Sequence, residues 1–150
     1  MMIKKVLIAG TVLGTLTLGL SPVIAGAASK SKTFVIDATG QGISGGMGLR
    51  TSGYAKGTIT VNTATNQVCY RIRDKGLGTV QLAHIHAGKK GVDGGVVVTL
   101  NVKAFNSKKK AATCVKVRAP IVRSMFKSPG LYYFNVHTAA FPNGAVRAQL

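Results

Sequence analysis

Acidic residues are the scarcest charged groups in this chain, with three Asp and Glu against twenty Lys and Arg and a formal net charge of +17. With so few carboxylates, neither a carboxylate pair nor a Ser/His/Asp arrangement can be assembled, so hydrolysis is the least expected class of activity. The chain also lacks a phosphate-binding glycine loop and any nucleic-acid motif with interleaved aromatic residues. Specific nucleic-acid recognition is therefore not expected.

Amphipathic helical patterns of useful length are missing as well. The chain runs instead as short segments of β type separated by Gly, Asn, Ser and Lys. In 57–63 the alternation places Ile59 and Val61 inward, and a turn at 64–66 returns the chain as a hairpin. The spacing in 119–130 is mixed and predicts one helical turn ended by Pro129. The predicted strands are 33–38, 57–63, 67–73, 80–87, 96–100, 113–117, 131–138 and 145–150. This order predicts an all-β, antiparallel sandwich of about seven to nine strands.

Cysteine is limited to two residues, Cys69 and Cys114. One disulfide between them is the natural pairing in an exported protein, and closure of that long loop would stabilise the fold by about 4 kcal/mol. The alternative, a metal-binding or nucleophilic pair, is weaker. The two residues are far apart in sequence, and neither belongs to a CxxC motif.

The first 28 residues are predicted to be a signal peptide. Lys4 and Lys5 precede an uncharged apolar stretch, 6–20, and an A-x-A cleavage signal follows at 25–27. An uncleaved anchor is the alternative, since no charge occurs between residues 6 and 29. Cleavage would leave one domain, 33–150, with no transmembrane segment, secreted to the periplasm, cell envelope or medium.

Loss of Lys4 and Lys5 with the signal peptide would lower the net charge from +17 to +15. A field of that sign attracts polyanions, so anionic cell-envelope polymers are candidate partners, beside an extracellular protein. The cations are scattered along the chain, however, and their charge does not choose among these partners. Solubility in an anionic envelope accounts for them equally well.

Histidine occurs three times, and its spacing indicates a site. His84 and His86 point the same way on a strand, because residues i and i+2 share a face. His137 shares a face of another predicted strand with Tyr133 and Asn135. The glycine-rich run 88–95 predicts a tight loop leaving the first of these strands. All three histidines are therefore candidates for one cluster.

Three imidazoles without a fourth protein ligand suit copper, or an open zinc site that keeps a water molecule. The alternative is structural: His84 would hydrogen-bond the loop at Gly94, and His137 would hold the corner formed by 138–143. Asp93, the one acid near these residues, is interpreted as a loop residue. The adjacent aromatic residues 132–134 are interpreted as packing groups.

Two longer motifs carry a family resemblance. AHIHAGKKGVDGGVVVTL (83–100) and YYFNVHTAAFPNGAVRAQL (132–150), with VCYRI before them and Cys114 between, resemble the CHRD, or chordin-type, domain of secreted bacterial proteins. Ala148 departs from the closing pattern of that family, which usually reads Arg-Gly-Gln-Leu. The resemblance covers most of 33–150. It implies an extracellular, immunoglobulin-like β-sandwich and little about activity. We therefore expect a binding or envelope-associated module with no assigned catalytic activity.

A fainter similarity connects the chain to copper/zinc superoxide dismutases, which also have a His-x-His strand, a later single histidine and an arginine near the C-terminus. Here these positions are His84, His86, His137 and Arg147. The similarity implies a copper half-site, with superoxide-dismutating or copper-handling activity and with Arg147 steering anions. No further histidine is present to bridge to zinc, and the acid-rich zinc loop is absent.

Overall fold

The computed structural model describes residues 30–40 and 51–150. The predicted signal peptide, 1–28, lies outside the described residues. Within them, no helix has the length and apolar character needed to cross a membrane.

Eight antiparallel strands and one α-helix make up the described fold, as the alternating segments predicted. Each predicted strand is present within three residues of its expected ends. The elements are β1 (Ser31–Thr39), β2 (Tyr54–Asn62), β3 (Gln67–Lys75), β4 (Val80–Ala87), β5 (Val96–Thr99), β6 (Thr113–Lys116), α1 (Ala119–Lys127), β7 (Tyr132–Thr138) and β8 (Val146–Gln149). The expectation of an all-β, antiparallel fold with one disulfide is confirmed.

All eight strands belong to one curled sheet with the order β5-β4-β7-β8-β1-β2-β3-β6. We call β5-β4-β7-β8 the histidine half and β1-β2-β3-β6 the disulfide half. The two halves meet where β1 pairs with β8, at Thr39 and Arg147. Both halves contribute inward side chains to a single hydrophobic cluster, so the core lies between them.

The period-2 pattern of the strands decides which side chains enter that core. On β2, Ile59 and Val61 are fully buried, as the sequence predicted, while Thr60 between them faces outward. Phe105, from the connection after β5, joins the halves: its ring centroid lies 6.3 Å from that of Tyr70 and 6.4 Å from that of Phe134. The side chains on the outer faces of the two halves therefore do not contribute to this core.

The helix corrects one expectation. Instead of one turn ended by Pro129, α1 extends over nine residues and ends at Lys127, and it is amphipathic. Pro120 occupies its first turn, where a missing N–H costs nothing. Val122 and Met125, three residues apart on one helical face, are both fully buried. Ile121 and Phe126 pack against the core beside them and stay partly exposed. These apolar positions cover less than two helical turns, so the pattern is too short to indicate the full helix.

The disulfide is present as predicted. Cys69 on β3 and Cys114 on β6 lie directly opposite each other in the strand register and are bonded. Because β6 is a four-residue strand at the edge of the sheet, the bond ties the edge of the disulfide half to its neighbour.

Candidate metal centre

The three histidines converge on the outer face of the histidine half. His84 and His86 lie on β4, and His137 lies on the adjacent strand β7, where it is paired with Leu82. The ring centroids are 5.5 Å apart for His84 and His86, 5.1 Å for His84 and His137, and 5.9 Å for His86 and His137. One ring nitrogen from each residue lies within 4.8 Å of the others. The three side chains are thus close enough to bind one ion.

Each ring also has one buried nitrogen that makes no hydrogen bond: Nδ1 of His84, Nε2 of His86 and Nε2 of His137. Buried polar atoms almost always have a hydrogen-bond partner, because desolvating them without one is costly. One ligand can satisfy all three such atoms, since each of the three clustered rings contributes one.

The other ring nitrogen is held by backbone in two of the three cases. Nδ1 of His86 lies 2.9 Å from the carbonyl oxygen of Gly94, and Nδ1 of His137 lies 2.9 Å from that of Pro142. A carbonyl oxygen only accepts, so both Nδ1 atoms must carry the proton. In the neutral ring this leaves a lone pair on Nε2. Histidines that bind metals are typically oriented in this way.

These contacts match the structural interpretation in part. His137 does hold the 138–143 corner, through Pro142. The contact with Gly94, expected from His84, comes instead from His86. Because both bonds use Nδ1 and leave Nε2 free, the structural role and the metal-binding role are compatible in these two residues.

Tyr133 supports the site from behind His86. The two rings are stacked, with centroids 4.8 Å apart and planes inclined by 6°. The guanidinium carbon of Arg147 lies 3.3 Å from the centre of the same tyrosine ring. Since β7 lies between β4 and β8 in the sheet, the tyrosine ring separates histidine from arginine. Tyr133 therefore packs, as expected, but on the outer face beside the cluster.

Arg147 holds the loop that follows β4. Its side chain is only 3% exposed, and Nη1 lies 3.0 Å from Oδ1 of Asp93, which is 76% exposed. Nη2 donates at 2.9 Å to the carbonyl oxygens of Lys89 and Val92. The anion-steering role predicted for Arg147 stays a prediction; the contacts of the residue in the structure are those of a loop anchor.

Sequence reasoning assigned no role in the site to two further residues, Gln149 and Asn135. Gln149 Nε2 donates to the carbonyl oxygens of Gly88, Gly130 and Tyr132 at 2.8–2.9 Å, and so holds the other end of the loop. Asn135, paired with His84, is buried, and its Oδ1 has no hydrogen-bond partner. Period-2 alternation had already placed Asn135 on the face of the histidines, and the same signal could have found Gln149.

Burial favours the neutral form of His84 and His86. Burial lowers the pKa of His84 below the ordinary value of 6.5, and the charges of His137 and His86 lower it further. Burial is also the main reason why the pKa of His86 is lowered, against the opposing effect of its bond to Gly94. Neutral imidazoles with free lone pairs are the form that binds metals.

The donor set consists of three imidazole nitrogens. Among the described residues, no carboxylate and no thiolate joins this group. Leu82 and Val96, which are 52% and 51% exposed, occupy the same face and pair with His137 and His86 in the strand register. The cluster therefore lies close to the surface, beside apolar side chains.

Comparison with known proteins agrees with the motifs. Searches of curated proteins and of solved structures gave no match. A sequence model of one family, the CHRD domain, matches residues 34–150, which include all eight strands' core positions and the three histidines. The chain therefore belongs to the CHRD domain family.

Proposed function

We propose that this CHRD domain is a copper-binding module and that Nδ1 of His84, Nε2 of His86 and Nε2 of His137 are its ligands. One observation supports the proposal above all others. Three ring nitrogens are buried without a hydrogen-bond partner, one on each residue of a group whose donor atoms lie within 4.8 Å of one another. A bound cation would satisfy all three at once.

Copper fits this donor set better than other metals. Hard cations such as Mg²⁺ and Ca²⁺ prefer oxygen ligands, which the cluster lacks. Among divalent metals that bind imidazole, affinity reaches its maximum at Cu²⁺, and copper also accepts three-coordinate and tetragonal nitrogen sites. Zinc in an open tetrahedral site is the alternative that the same three ligands allow.

The proposal is limited to binding and handling of the metal. Membership of the CHRD family supports a non-catalytic module. Superoxide dismutation would need a cation that faces the ion, and Arg147, expected in that role, contacts the loop through both terminal nitrogens. An extracytoplasmic location is part of the proposal; the disulfide between Cys69 and Cys114 supports it, since such bonds persist in oxidising compartments.

Calorimetric titration of the untagged protein with Cu(I), Cu(II) and Zn(II) tests the proposal. We expect tight binding of one copper ion per chain. His86→Ala and His137→Ala should each lower the copper affinity by at least about tenfold, because removal even of a supporting group around a metal site costs about 10–100-fold.

Thr99→Ala is the matched control, since Thr99 is exposed and lies opposite His84 in the register but has no imidazole. Its copper affinity should equal that of the wild type. Absence of one-to-one binding by the wild type, or unchanged affinity in both histidine variants, would retire the proposal and leave a metal-free binding module.

A further inference from the structure

A second surface of the molecule lies on the outer face of the disulfide half, away from the histidines. Four cations project there from neighbouring positions of β2 and β3: Lys56, Arg71, Arg73 and Lys75, all exposed. We call these four residues the cationic row. Lys56 is paired with Arg73 in the strand register, so the row is continuous across the two strands.

The cationic row is poorly neutralised. Asp37 on β1 lies 3.1 Å from Nζ of Lys56, and both side chains are more than half exposed. In the described part of the chain, Arg71, Arg73 and Lys75 take part in no ion pair. Along an extended strand, alternate residues are about 7 Å apart, so these three present charges at regular intervals. A regular row of free cations fits a linear polyanion.

A shallow pocket opens at one end of this row. Its volume is about 320 Å³, at the small end of the range of about 300–1,000 Å³ for ligand pockets. Tyr54 and Lys56 connect it to the row, since they are paired with Lys75 and Arg73. Nζ of Lys56 lies 5.1 Å from the centre of the Tyr54 ring. The lining residues are Thr39, Gly40, Thr51, Ser52, Gly53, Tyr54 and Lys56.

This lining has the chemistry of a sugar site. Hydroxyl groups of Thr39, Thr51 and Ser52 can donate to and accept from the hydroxyls of a sugar. An aromatic ring packs against the apolar face of a sugar ring, and an ammonium group binds a carboxylate. The cationic row contains no aromatic residue, so it offers no successive stacking platforms of the kind that bind single-stranded nucleic acid.

We infer that this face binds an acidic polysaccharide. One sugar unit lies against Tyr54 in the pocket, and carboxylates of the following units pair in turn with Lys75, Arg73 and Arg71 along β3. Guanidinium groups bind carboxylates bidentately, and the pocket at one end of the row gives the polysaccharide a defined direction. This surface is independent of the proposed copper site, which occupies the other half of the sheet.

Polygalacturonate is the probe for a binding titration of the whole protein, with neutral dextran and polyphosphate as comparison polymers. Binding to polygalacturonate should exceed binding to dextran and weaken as salt screens the charges. The double substitution Arg71→Gln/Arg73→Gln should weaken it by about tenfold, which corresponds to loss of about 1.4 kcal/mol from two charge-assisted contacts.

Lys89→Gln/Lys90→Gln is the matched control, because it removes the same net charge from exposed loop residues of the histidine half. It should change the affinity for polygalacturonate by no more than about twofold, well below the tenfold loss expected for the double arginine variant. Equal weakening by the two double variants would show attraction by net charge alone and would overturn the inference.

Tyr54→Leu separates sugar recognition from anion recognition. It should weaken binding of polygalacturonate and leave binding of polyphosphate unchanged. If Tyr54→Leu has no effect on either polymer, or if polyphosphate binds more tightly than polygalacturonate, the surface is not a polysaccharide site. Unchanged melting temperatures and copper binding in all these variants would show that the fold is intact.

Discussion

The two halves of the sheet have four strands each, but they use their outer faces in opposite ways. The disulfide half exposes charged side chains to solvent and is closed by a covalent bond. The histidine half buries polar groups instead. Among the described residues, all four buried polar or charged side chains lie on its strands: His86, Asn135, Thr138 and Arg147. Burial of polar groups is costly, and it is concentrated where the structure places a candidate site.

The loop 88–95 accounts for much of this contrast. It covers the outer face of the histidine half and receives hydrogen bonds from His86, Arg147 and Gln149, while Tyr133 contacts Gly94. The side chains around the histidine cluster therefore also hold this loop in place. Changes at these side chains should affect stability and metal binding together, whereas changes in the disulfide half should separate them.

Removal of the disulfide should give the largest effect on stability without touching the metal site. For Cys69→Ala/Cys114→Ala, the 45-residue separation predicts a loss of about 4 kcal/mol in the free energy of unfolding on the chain-entropy account. Urea unfolding checks this value. Copper affinity of the folded variant should equal that of the wild type. A lower affinity would mean that the two halves are coupled, and the contrast would fail.

Arg147→Met tests the loop anchor. The substitution leaves the carbonyl groups of Lys89 and Val92 without their donor, and the free energy of unfolding should fall by about 3 kcal/mol. Copper affinity should fall by about tenfold, because the loop also holds His86.

Arg71→Met is the matched control, since it makes the same change on the exposed face of the disulfide half. Its effect on unfolding should stay within about 0.5 kcal/mol. Similar losses of unfolding free energy in the two variants would show that the buried contacts of Arg147 do not anchor the loop.

Two neighbouring glycines provide a finer comparison within the loop. A Cβ added at Gly94 would collide with the carbonyl group of Ala87, whereas one added at Gly95 would meet no atom within 4 Å. Gly94→Ala should therefore destabilise the protein by about 2 kcal/mol and lower its copper affinity. Gly95→Ala should change neither quantity. Thermal unfolding of the two variants decides between them, and equal melting temperatures would contradict the close packing of this loop.

The smallest expected effect is the pH dependence of the metal-free protein. Burial lowers the pKa of His84 and His86 in the folded state, so the unfolded chain takes up protons near pH 6.5 and the folded chain resists them. Stability from these residues is present above pH 6.5 and is lost as pH falls below it toward the lowered pKa values. Urea unfolding between pH 7.5 and 5 should show this slope, and His84→Phe should make it shallower. An identical slope in the variant would assign the effect to other groups.

Most of the fold could be predicted from the alternation of apolar and polar residues along the strands. Residues i and i+2 share a strand face, so the positions of Ile59 and Val61 and the common orientation of His84 and His86 follow from local spacing alone. Convergence with His137 was also predicted, because it required only that two histidine-bearing strands be neighbours. The extent of α1 was not, since the apolar residues that pack on the core cover less than two turns of the helix.

The finer chemistry of the site depends on contacts between distant segments. Whether His84 or His86 meets Gly94 is decided by the return path of the loop, which is set by Arg147 and Gln149 from the last strand. Which ring nitrogen remains free depends on those carbonyl contacts in turn. Neither the contact with Gly94 nor the identity of the free ring nitrogen can be predicted from a local sequence pattern.

The most direct test of the copper site is a crystal structure of the copper-loaded protein, with anomalous scattering measured at the copper edge. We expect one peak, at about 2.0–2.1 Å from Nδ1 of His84, Nε2 of His86 and Nε2 of His137, the distance typical of zinc–imidazole bonds. A copper ion bound to other donors, or a histidine cluster that holds no ion at saturating copper, would contradict it.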